Sequence, residues 1–451
     1  MNNRGLPDEF FEYMKSTLNE DYDEYIESFV KEPFRGLRVN AIKCRNDDEM
    51  LAKMRIKYKK TPFCEHGYYI ENSVSGIGNH PFHHAGAFYL QEPSAMSAVT
   101  ALGVSHGDKV LDLCAAPGGK STQIAAELDG TGLLVSNEIV KGRAKILCSN
   151  LERMGVTNAI VTNSRPDVLC DELCGFFDKV LVDAPCSGEG MIRREQAAVG
   201  EWKLDNHEMC AERSAKILDS AANAVRPGGV LVYSTCTLSA EENEQTIASF
   251  IQRYPEFSLD EIDAKFGRPA YKDKCDNADI VKARRILYQD GGEGHFVARL
   301  KKSEEAADKC VVDIVKNSDK SPIFSDFYKQ NFTDEPECVH VFKDSVYLYP
   351  KITPIFKKTK IMRIGVFAGN IMKNRFEPSH GLYTSRKFEL HKNIIDLDCD
   401  DDKIKSFLHG DVIKCDKKGY SAVAVNGMVL GFGKASNGVL KNHYPKGLRI
   451  L

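Results

Sequence analysis

Five short runs of apolar residues recur between residues 109 and 235, and each is apolar on both faces of an extended chain. That composition is typical of strands buried inside a parallel sheet. The runs are KVLDLCA (109–115), TGLLVSN (131–137), NAIVTN (158–163), KVLVDA (179–184) and GGVLVYST (228–235). Stretches with helical periodicity separate them, among them 121–128, 141–154 and 208–225. The alternation predicts a doubly wound, Rossmann-like α/β core over residues 101–300.

The 451-residue chain is long enough for further domains on both sides of this core. Residues 1–100 start with a charged, helix-prone segment and continue as short strands and turns, which predicts a small α+β region. Residues 301–379 are interpreted as a charged, turn-rich linker and a small mixed module. Residues 380–451 have the short strands and Gly-containing turns of a β-rich domain.

Several classes of protein do not fit this composition. A membrane-spanning helix needs about 18 or more consecutive apolar residues, and no stretch approaches that length. The amino-terminal residues are acidic and polar, unlike a secretory signal or a transit peptide. The 14 cysteines are scattered and form no Cys-x-x-Cys pair. We therefore expect reduced thiols, no metal site, and a monomer in the cytoplasm.

The charge of the chain is unevenly distributed. Residues 351–451 contain 19 Lys and Arg against 9 Asp and Glu, although the whole chain has a net charge of -3. A basic end on an acidic body indicates a polyanionic partner, and the charge alone does not separate a nucleic acid from an acidic protein. The candidate phosphate contacts are Arg38, Asn40, Arg193, Arg194, Lys434, Lys441, His443 and Lys446.

The first apolar run leads through AAPGGKS (115–121) into a predicted helix. Paired glycines let the backbone approach a ligand, and a helix start offers free N–H groups. A phosphate-binding loop needs glycine at position 114, where this chain has Cys, and a Gly-x-Gly-x-x-Gly fingerprint is absent. S-adenosylmethionine carries no phosphate and suits the loop, with Asp112 near its sulfonium and amino groups and Glu138 near its ribose. A βαβ turn without a ligand is the alternative.

Two cysteines follow neighbouring predicted strands, Cys186 after the fourth and Cys236 after the fifth. Ligands of open α/β sheets bind at the carboxyl ends of strands, so we expect both thiols to face the cofactor crevice. A thiolate that adds to carbon 6 of a pyrimidine makes carbon 5 nucleophilic towards a methyl donor. Asp183 is placed to hydrogen-bond N3 and the exocyclic amine of cytosine. The chemistry alone leaves open which cysteine attacks and which assists release.

These motifs resemble those of the Sun-type RNA cytosine-C5 methyltransferase family. The matching segments are FRGLRVN (34–40), LQEPSAM (90–96), AAPGGK (115–120), DAPCSGEG (183–190), STCT (234–237), EENE (241–244) and GEGHFVARL (292–300). The segment GFGKASNGVLKNHYPKGLR (431–449) resembles the tail of the branch that modifies small-subunit ribosomal RNA. That likeness implies a PUA-like RNA-binding domain over residues 380–451 and 16S ribosomal RNA as substrate.

The resemblance also implies a role for particular residues. It assigns the nucleophile to Cys236 and release of the methylated RNA to Cys186. Many members have an acid after the third strand that meets the adenine amino group, and Asn163 takes that place here. The implied contacts to S-adenosylmethionine are Cys114, Ala115, Ala116, Pro117, Gly118, Gly119, Lys120, Glu138, Asn163 and Asp183.

Three other functions are compatible with parts of this pattern. A transfer RNA cytosine methyltransferase would use the same chemistry on another RNA. An enzyme that methylates amino groups would be expected to have Asn/Asp-Pro-Pro-Tyr where this chain has DAPC (183–186). A non-catalytic RNA-binding scaffold would have no need of Cys186, Cys236 and Asp183 together.

Overall fold

The computed structural model describes residues 5–307 and 311–450. The first four residues of the predicted helical segment therefore lie outside the described residues. Among those described, no helix combines the length and the apolar character needed to cross a membrane.

Five parallel strands form the centre of the largest sheet, where the apolar runs predict them. Strands are numbered in chain order, and the first four belong to the amino-terminal region. The five central strands are β5 (Lys109–Asp112), β6 (Leu133–Asn137), β7 (Ala159–Thr162), β8 (Phe177–Asp183) and β9 (Val225–Thr235). Their order across the sheet is β9-β8-β5-β6-β7, so the direction of winding reverses between β8 and β5. A ligand crevice is expected at that reversal. The predicted Rossmann-like α/β fold is confirmed.

Alternate residues of each central strand enter two separate apolar cores. Leu111 and Val180 pack into the core on one face, and Val110 and Leu181 pack into the core on the other. All four side chains are fully buried. Burial of each such side chain contributes about 1.5–3 kcal/mol, which explains why these strands are apolar on both faces.

Helices cover both faces of this sheet, and further strands extend it. The helices are α5 (Ser97–Leu102), α6 (Gly119–Leu128), α7 (Lys141–Arg153), α8 (Pro166–Glu172), α9 (Gln196–Glu201), α10 (Asp205–Ala224) and α11 (Thr246–Arg253). The added strands are β10 (Phe257–Leu259), β11 (Arg268–Pro269), β12 (Arg284–Ile286) and β13 (His295–Lys302). Strand β13 pairs antiparallel with β9, and it also pairs antiparallel with β10 and with β12.

The amino-terminal region is a four-stranded antiparallel sheet with short helices. Its strands are β1 (Gly36–Val39), β2 (Tyr58–Lys60), β3 (Gly67–Ile70) and β4 (Phe88–Leu90), in the order β2-β3-β1-β4. Its helices are α1 (Asp8–Leu18), α2 (Tyr22–Glu27), α3 (Asp47–Lys53) and α4 (Pro81–His84). This is the mixture of helices, short strands and turns that the sequence predicts.

The segment after β13 contains a small sheet, and it also adds a strand to the central one. It consists of α12 (Pro322–Asn331), β14 (Val339–Phe342), β15 (Ser345–Leu348), β16 (Ile361–Ile364), β17 (Val366–Met372), β18 (Arg375–Pro378) and α13 (His380–Thr384). The small sheet has the order β14-β15-β17-β18, whereas β16 pairs antiparallel with β7 at the edge of the central sheet. The segment is therefore joined to the α/β core by backbone hydrogen bonds.

The last five strands form a separate sheet around one helix. The strands are β19 (Ile394–Leu397), β20 (Ile413–Lys414), β21 (Gly419–Val425), β22 (Met428–Ser436) and β23 (Val439–Asn442), and the helix is α14 (Asp402–His409). The strand order is β19-β21-β22-β23-β20. One apolar cluster contains Leu37 and Phe88 of the amino-terminal sheet together with Leu430 and Leu440 of this one. The two ends of the chain therefore share a core.

Lys43 joins three parts of the chain through its side chain. Its Nζ donates hydrogen bonds to the backbone oxygens of Ala85 at 2.7 Å, Arg153 at 3.1 Å and Val429 at 3.3 Å. These acceptors belong to the amino-terminal region, to the end of α7 in the α/β core, and to β22. One ammonium group thus satisfies carbonyls where the three units meet.

Replacing Lys43 by Met should weaken this junction. Loss of the ammonium leaves part-buried carbonyls without a donor, which should lower the free energy of unfolding by about 1–3 kcal/mol. Lys53→Met is the control, because Lys53 makes only a long contact of 3.6 Å with a half-exposed Asp398. Chemical denaturation of both variants measures the difference, and equal stability of the two would contradict the role of Lys43.

Candidate active site

The two cysteine loops leave neighbouring parallel strands at the same level. Strands β8 and β9 pair so that Asp183 lies opposite Ser234, and Cys186 and Cys236 follow these residues in the chain. Both cysteines are half-buried, and their Sγ atoms are 3.3 Å apart although 50 residues separate them. The structure therefore brings the two predicted cysteines together at the carboxyl edge of the sheet.

Asp183 ends β8 and forms an ion pair with Lys120 at the start of α6. Lys120 Nζ is 2.7 Å from Asp183 Oδ2, and the Ser234 hydroxyl donates to Oδ1 at 2.8 Å. Burial by itself would raise the pKa of Asp183, but the charge of Lys120 lowers it below the usual value. Asp183 is thus an ionised carboxylate with an ammonium group beside it. The sequence reasoning had assigned Lys120 to the cofactor alone.

A neutral histidine is buried close to this pair. His295 is the first residue of β13, and burial followed by the charge of Lys120 lowers the pKa of its imidazole to about 3. The ring therefore adds no positive charge to the site at neutral pH. His295 belongs to the motif GEGHFVARL, but the sequence reasoning did not single it out.

The two thiols have different surroundings. The pKa of Cys186 is raised well above its usual value by its hydrogen bond with Cys236, then by burial, and also by the charge of Cys236. Cys186 is therefore a protonated thiol within hydrogen-bond distance of the sulfur of Cys236. Burial would lower the pKa of Lys120, but Asp183 and, to a smaller extent, Cys236 raise it, which shows that an ammonium lies within electrostatic reach of that sulfur.

The loop between β5 and α6 has the shape that a close-fitting ligand needs. Gly118 has a φ of +115°, in the left-handed region that favours glycine, and a Cβ atom there would lie 3.1 Å from Leu147 Cδ1. Below the loop, Asp112 is fully buried and one of its oxygens accepts from the Ser121 hydroxyl at 2.6 Å. The other oxygen, Oδ1, is buried without a hydrogen-bond partner among the described residues. A positively charged amino group is the kind of ligand atom that would satisfy it.

Two further predicted cofactor residues flank the same crevice. Glu138 follows β6, is buried, accepts from the Val140 N–H at 2.7 Å, and lies 3.4 Å from Arg143. Asn163 follows β7 and donates its side-chain amide to the backbone oxygens of Glu138 and Ile139 at 2.7 and 2.9 Å. Both bonds use the side-chain nitrogen of Asn163, and no donor among the described residues bonds its side-chain oxygen, which can accept a hydrogen bond from a ligand. Both residues are thus placed beside the loop that holds Cys114–Lys120.

Three buried polar residues behind the cysteines were missed by the sequence reasoning. Glu189, Glu242 and His207 are each at most 2 % exposed, and a ligand atom from each lies within 4.8 Å of the others. Burial, and then the charge of Glu189, raises the pKa of Glu242 to about 7. The available signal was the position of Glu189 in DAPCSGEG, the motif that contains Cys186, and of Glu242 in EENE, which follows the Cys236 motif STCT by three residues.

Three of the predicted phosphate contacts are wrong, because these side chains are in the interior. Arg38 is 1 % exposed and donates to the Thr122 hydroxyl at 2.8 Å. Asn40 is fully buried and donates to the backbone oxygen of Met154 at 2.9 Å. Arg193 forms a buried ion pair of 2.8 Å with Glu293. Each of these side chains has polar partners inside the fold that offset the free-energy cost of its burial. The linear sequence does not show these partners.

The other predicted RNA contacts remain at the surface. Arg194, Lys434, Lys441 and Lys446 are exposed, and His443 is half-buried. Lys434 on β22 lies directly opposite Lys441 on β23. Like charges in facing positions of a sheet are unfavourable unless an anion is bound, so this pair is the best-placed anion site of the set.

Known protein families match this chain over most of its length. The family described as 16S rRNA methyltransferase RsmB/F matches residues 99–301, and the N-terminal domain of 16S rRNA methyltransferase RsmF matches residues 6–93. The ribosomal RNA small subunit methyltransferase F of Vibrio vulnificus is 31 % identical over 482 aligned positions, covering 98 % of this chain and 97 % of that one. The chain belongs to the RsmF family.

The remaining matches cover the carboxyl-terminal half of this RsmF-family chain. The first C-terminal domain of RsmF rRNA methyltransferase matches residues 324–385, and the methyltransferase RsmF PUA domain matches residues 394–450. The corresponding methyltransferase F of Aeromonas salmonicida is 29 % identical and aligns with 99 % of this chain and 98 % of its own. The PUA-like assignment of the last sheet is therefore confirmed.

Solved structures support the fold of the α/β core. A methyltransferase homolog protein from Pyrococcus horikoshii has a TM-score of 0.59 at 28 % identity, covering 66 % of this chain and 96 % of its own. NSun6 from the same organism has a TM-score of 0.58 at 22 % identity, covering 66 % of this chain and 99 % of its own, and shows the likeness of fold alone.

Proposed function

We propose that this RsmF-family protein transfers a methyl group from S-adenosylmethionine to carbon 5 of cytosine in 16S ribosomal RNA. The observation that carries the proposal is the pair of thiols 3.3 Å apart at the strand ends that also hold Asp183. A methyltransferase for amino groups would have no use for two adjacent thiols. The names of the relatives support small-subunit ribosomal RNA as the substrate.

The crevice beside β5 supplies the contacts for the methyl donor. The backbone of residues 114–119, the buried Oδ1 of Asp112, and the side chains of Glu138 and Asn163 would hold it. S-adenosylmethionine supplies an electrophilic methyl group on a positively charged sulfur. The ionised Asp183 favours positive charge nearby and lies between this crevice and the two thiols.

The nucleophile is Cys236. Its sulfur lies 3.3 Å from the Cys186 thiol and within electrostatic reach of the Lys120 ammonium, at the end of the strand next to the one that holds Asp183. The Cys236 thiolate bonds to carbon 6 of cytosine, and the π electrons of the 5,6 double bond shift to carbon 5 and, by conjugation, towards N3. Asp183 accepts from the exocyclic amine, while Lys120 stabilises the negative charge that builds up at the ring edge. Carbon 5 could then take the methyl group of a bound S-adenosylmethionine, whose methyl–sulfur bond would break with its electron pair left on the sulfur.

The release step breaks the bond between carbon 6 of the base and the Cys236 sulfur. After methylation the proton on carbon 5 leaves to a base, its electron pair restores the 5,6 double bond, and the bond between carbon 6 and Cys236 breaks. Cys186 is the group next to that sulfur and assists this step. The target base must be unstacked for this chemistry, because a thiolate cannot reach carbon 6 inside a duplex.

The PUA-like sheet holds the RNA. Lys434 and Lys441 face each other across two strands, and Lys434 Nζ lies 5.0 Å from the ring centroid of Tyr420. The combination of paired ammonium groups and an adjacent ring suits a phosphate with its nucleoside. The sheet shares an apolar core with the amino-terminal region, so bound RNA is held in a fixed position relative to the α/β core.

Cys236→Ala should abolish methylation while cofactor binding is retained. Without the sulfur, carbon 5 stays a poor nucleophile, so cells that carry only this variant should lose a 5-methylcytosine from 16S ribosomal RNA. Bisulfite sequencing of ribosomal and transfer RNA from these cells and from cells with the wild-type protein measures the change. If the methylation persists in the variant, Cys236 is not the nucleophile. If the loss is confined to transfer RNA, the substrate is transfer RNA and not 16S ribosomal RNA.

Cys186→Ala should attack RNA but release it slowly. We expect a covalent protein–RNA complex to accumulate on ordinary substrate RNA, whereas the wild-type protein should accumulate one only on RNA that contains 5-fluorocytosine. Fluorine cannot leave carbon 5 as a proton does, so the adduct is trapped. Denaturing electrophoresis detects both complexes, and normal turnover by Cys186→Ala would remove the proposed role of this thiol.

The double variant Lys434→Ala/Lys441→Ala should bind RNA more weakly with little change in turnover at saturating RNA. Loss of two phosphate contacts should reduce the slope of log affinity against log salt by about 1.4 for single-stranded RNA. The control removes the same charge from the exposed residues Arg213 and Lys216 on α10. Affinity titrations at several salt concentrations compare the two, and an unchanged slope would exclude the lysine pair. Substitution is preferable to deletion of the domain, which would uncover the shared core.

A further inference from the structure

The loops that carry the two cysteines are connected to each other by more than the contact between the sulfurs. The Gly190 N–H donates to the backbone oxygen of Cys236 at 2.9 Å. A Cβ atom at Gly190 would lie 2.9 Å from that oxygen and 2.3 Å from the backbone oxygen of Gly294, so the loops are in close contact. Side chains behind them complete the connection.

Glu189 forms the fixed half of that connection. Its Oε1 is 2.6 Å from His207 Nε2 and accepts from Trp202 Nε1 at 3.0 Å. Its Oε2 accepts from the Thr237 hydroxyl and from the Leu238 N–H. Burial opposes the charge of Glu189, but these hydrogen bonds and His207 hold its pKa below the usual value. Both of its oxygens are therefore engaged by donors of the protein.

Glu242 contacts the residues that immediately follow both cysteines. Its carboxylate accepts from the Ser187 N–H at 3.1 Å and from the Ser187 hydroxyl, and it lies 3.4 Å from the Thr237 hydroxyl. The Ser187 and Thr237 hydroxyls are themselves 2.8 Å apart. Ser187 follows Cys186, and Thr237 follows Cys236. One buried carboxylate thus touches both loops one residue away from the sulfurs.

The backbone that carries Glu242 is itself anchored to β9. Glu242 lies in a π-helical turn, Glu241–Gln245, and its backbone oxygen accepts from the Tyr233 hydroxyl at 2.7 Å. Glu242 and Tyr233 are both fully buried. The carboxylate therefore has little freedom to move, and it transmits the position of β9 to the loop that carries Cys186.

We propose that Glu242 is a positioning residue that holds Cys186 beside Cys236 for the release step, acting through Ser187 and Thr237. The inference rests on the proposed function, because release from a covalent intermediate is the step that needs the second thiol. Cys236 follows β9 directly and is positioned by the sheet. Cys186 lies three residues beyond the end of β8, so its position depends on the contacts of Ser187.

Glu242→Gln is the test, because it keeps the size of the side chain but places an amide group among donors. We expect covalent attachment to RNA containing 5-fluorocytosine to stay within about twofold of wild type, and turnover on ordinary RNA to fall roughly 10- to 100-fold with accumulation of the covalent complex. The matched control is Glu241→Gln on the same turn, whose carboxylate contacts Tyr13 and Ser239 instead. The control should release RNA normally.

A double variant separates positioning from a general loss of structure. If Glu242 acts through Cys186, Glu242→Gln/Cys186→Ala should release RNA no more slowly than Cys186→Ala alone. Three results would overturn the proposal. The double variant could release RNA more slowly than Cys186→Ala by the factor that Glu242→Gln shows alone. Glu242→Gln could turn over normally, or it could lose covalent attachment and release to the same extent. If Glu242→Gln does not fold, Ser187→Ala removes the half-buried hydroxyl and should slow release in the same direction, and normal release by it would contradict the proposal.

The experiment also distinguishes the two levels of inference. If the wild-type protein forms no adduct with RNA containing 5-fluorocytosine, the proposed function fails and the role of Glu242 falls with it. If the wild-type protein forms the adduct and Glu242→Gln releases ordinary RNA at the wild-type rate, the positioning role alone fails.

Discussion

The pairing of two parallel strands is the constraint on which the rest of this site depends. Because β8 and β9 run in the same direction and align Asp183 with Ser234, the loops that follow them start side by side. Two sulfur atoms separated by 50 residues are brought to 3.3 Å in this way. The large apolar cores on both faces of the sheet hold this alignment, so the stability of the fold and the geometry of the site have the same origin.

Electrostatic asymmetry then gives similar side chains different roles. Cys186 is a thiol with a raised pKa, whereas the Cys236 sulfur lies within electrostatic reach of the Lys120 ammonium. Asp183 is kept ionised by Lys120, whereas burial beside another acid raises the pKa of Glu242 to about 7. In both pairs the chemical type is the same, and the neighbouring groups make the two members different.

RNA binding and catalysis are joined by packing instead of by a flexible linker. The amino-terminal sheet and the PUA-like sheet share one apolar cluster, β16 extends the central sheet, and Lys43 bonds to carbonyls from three units. In the proposed function, a basic strand pair on such a frame would present RNA at a constant distance from the thiols. The positive charge of the carboxyl-terminal region would thereby orient the substrate as well as attract it.

The amino-acid sequence by itself determined the α/β class, the five central strands, the glycine loop and both cysteines, because periodicity and short motifs are local properties. It also indicated that strand ends would bring the thiols together, since that follows from topology. It misassigned Arg38, Asn40 and Arg193, and it did not single out Glu189, Glu242 or His295. Only the tertiary structure decided the surroundings of these six side chains. A polar side chain can face solvent, a buried carbonyl or another charge, and which of these it faces depends on partners tens to hundreds of residues away.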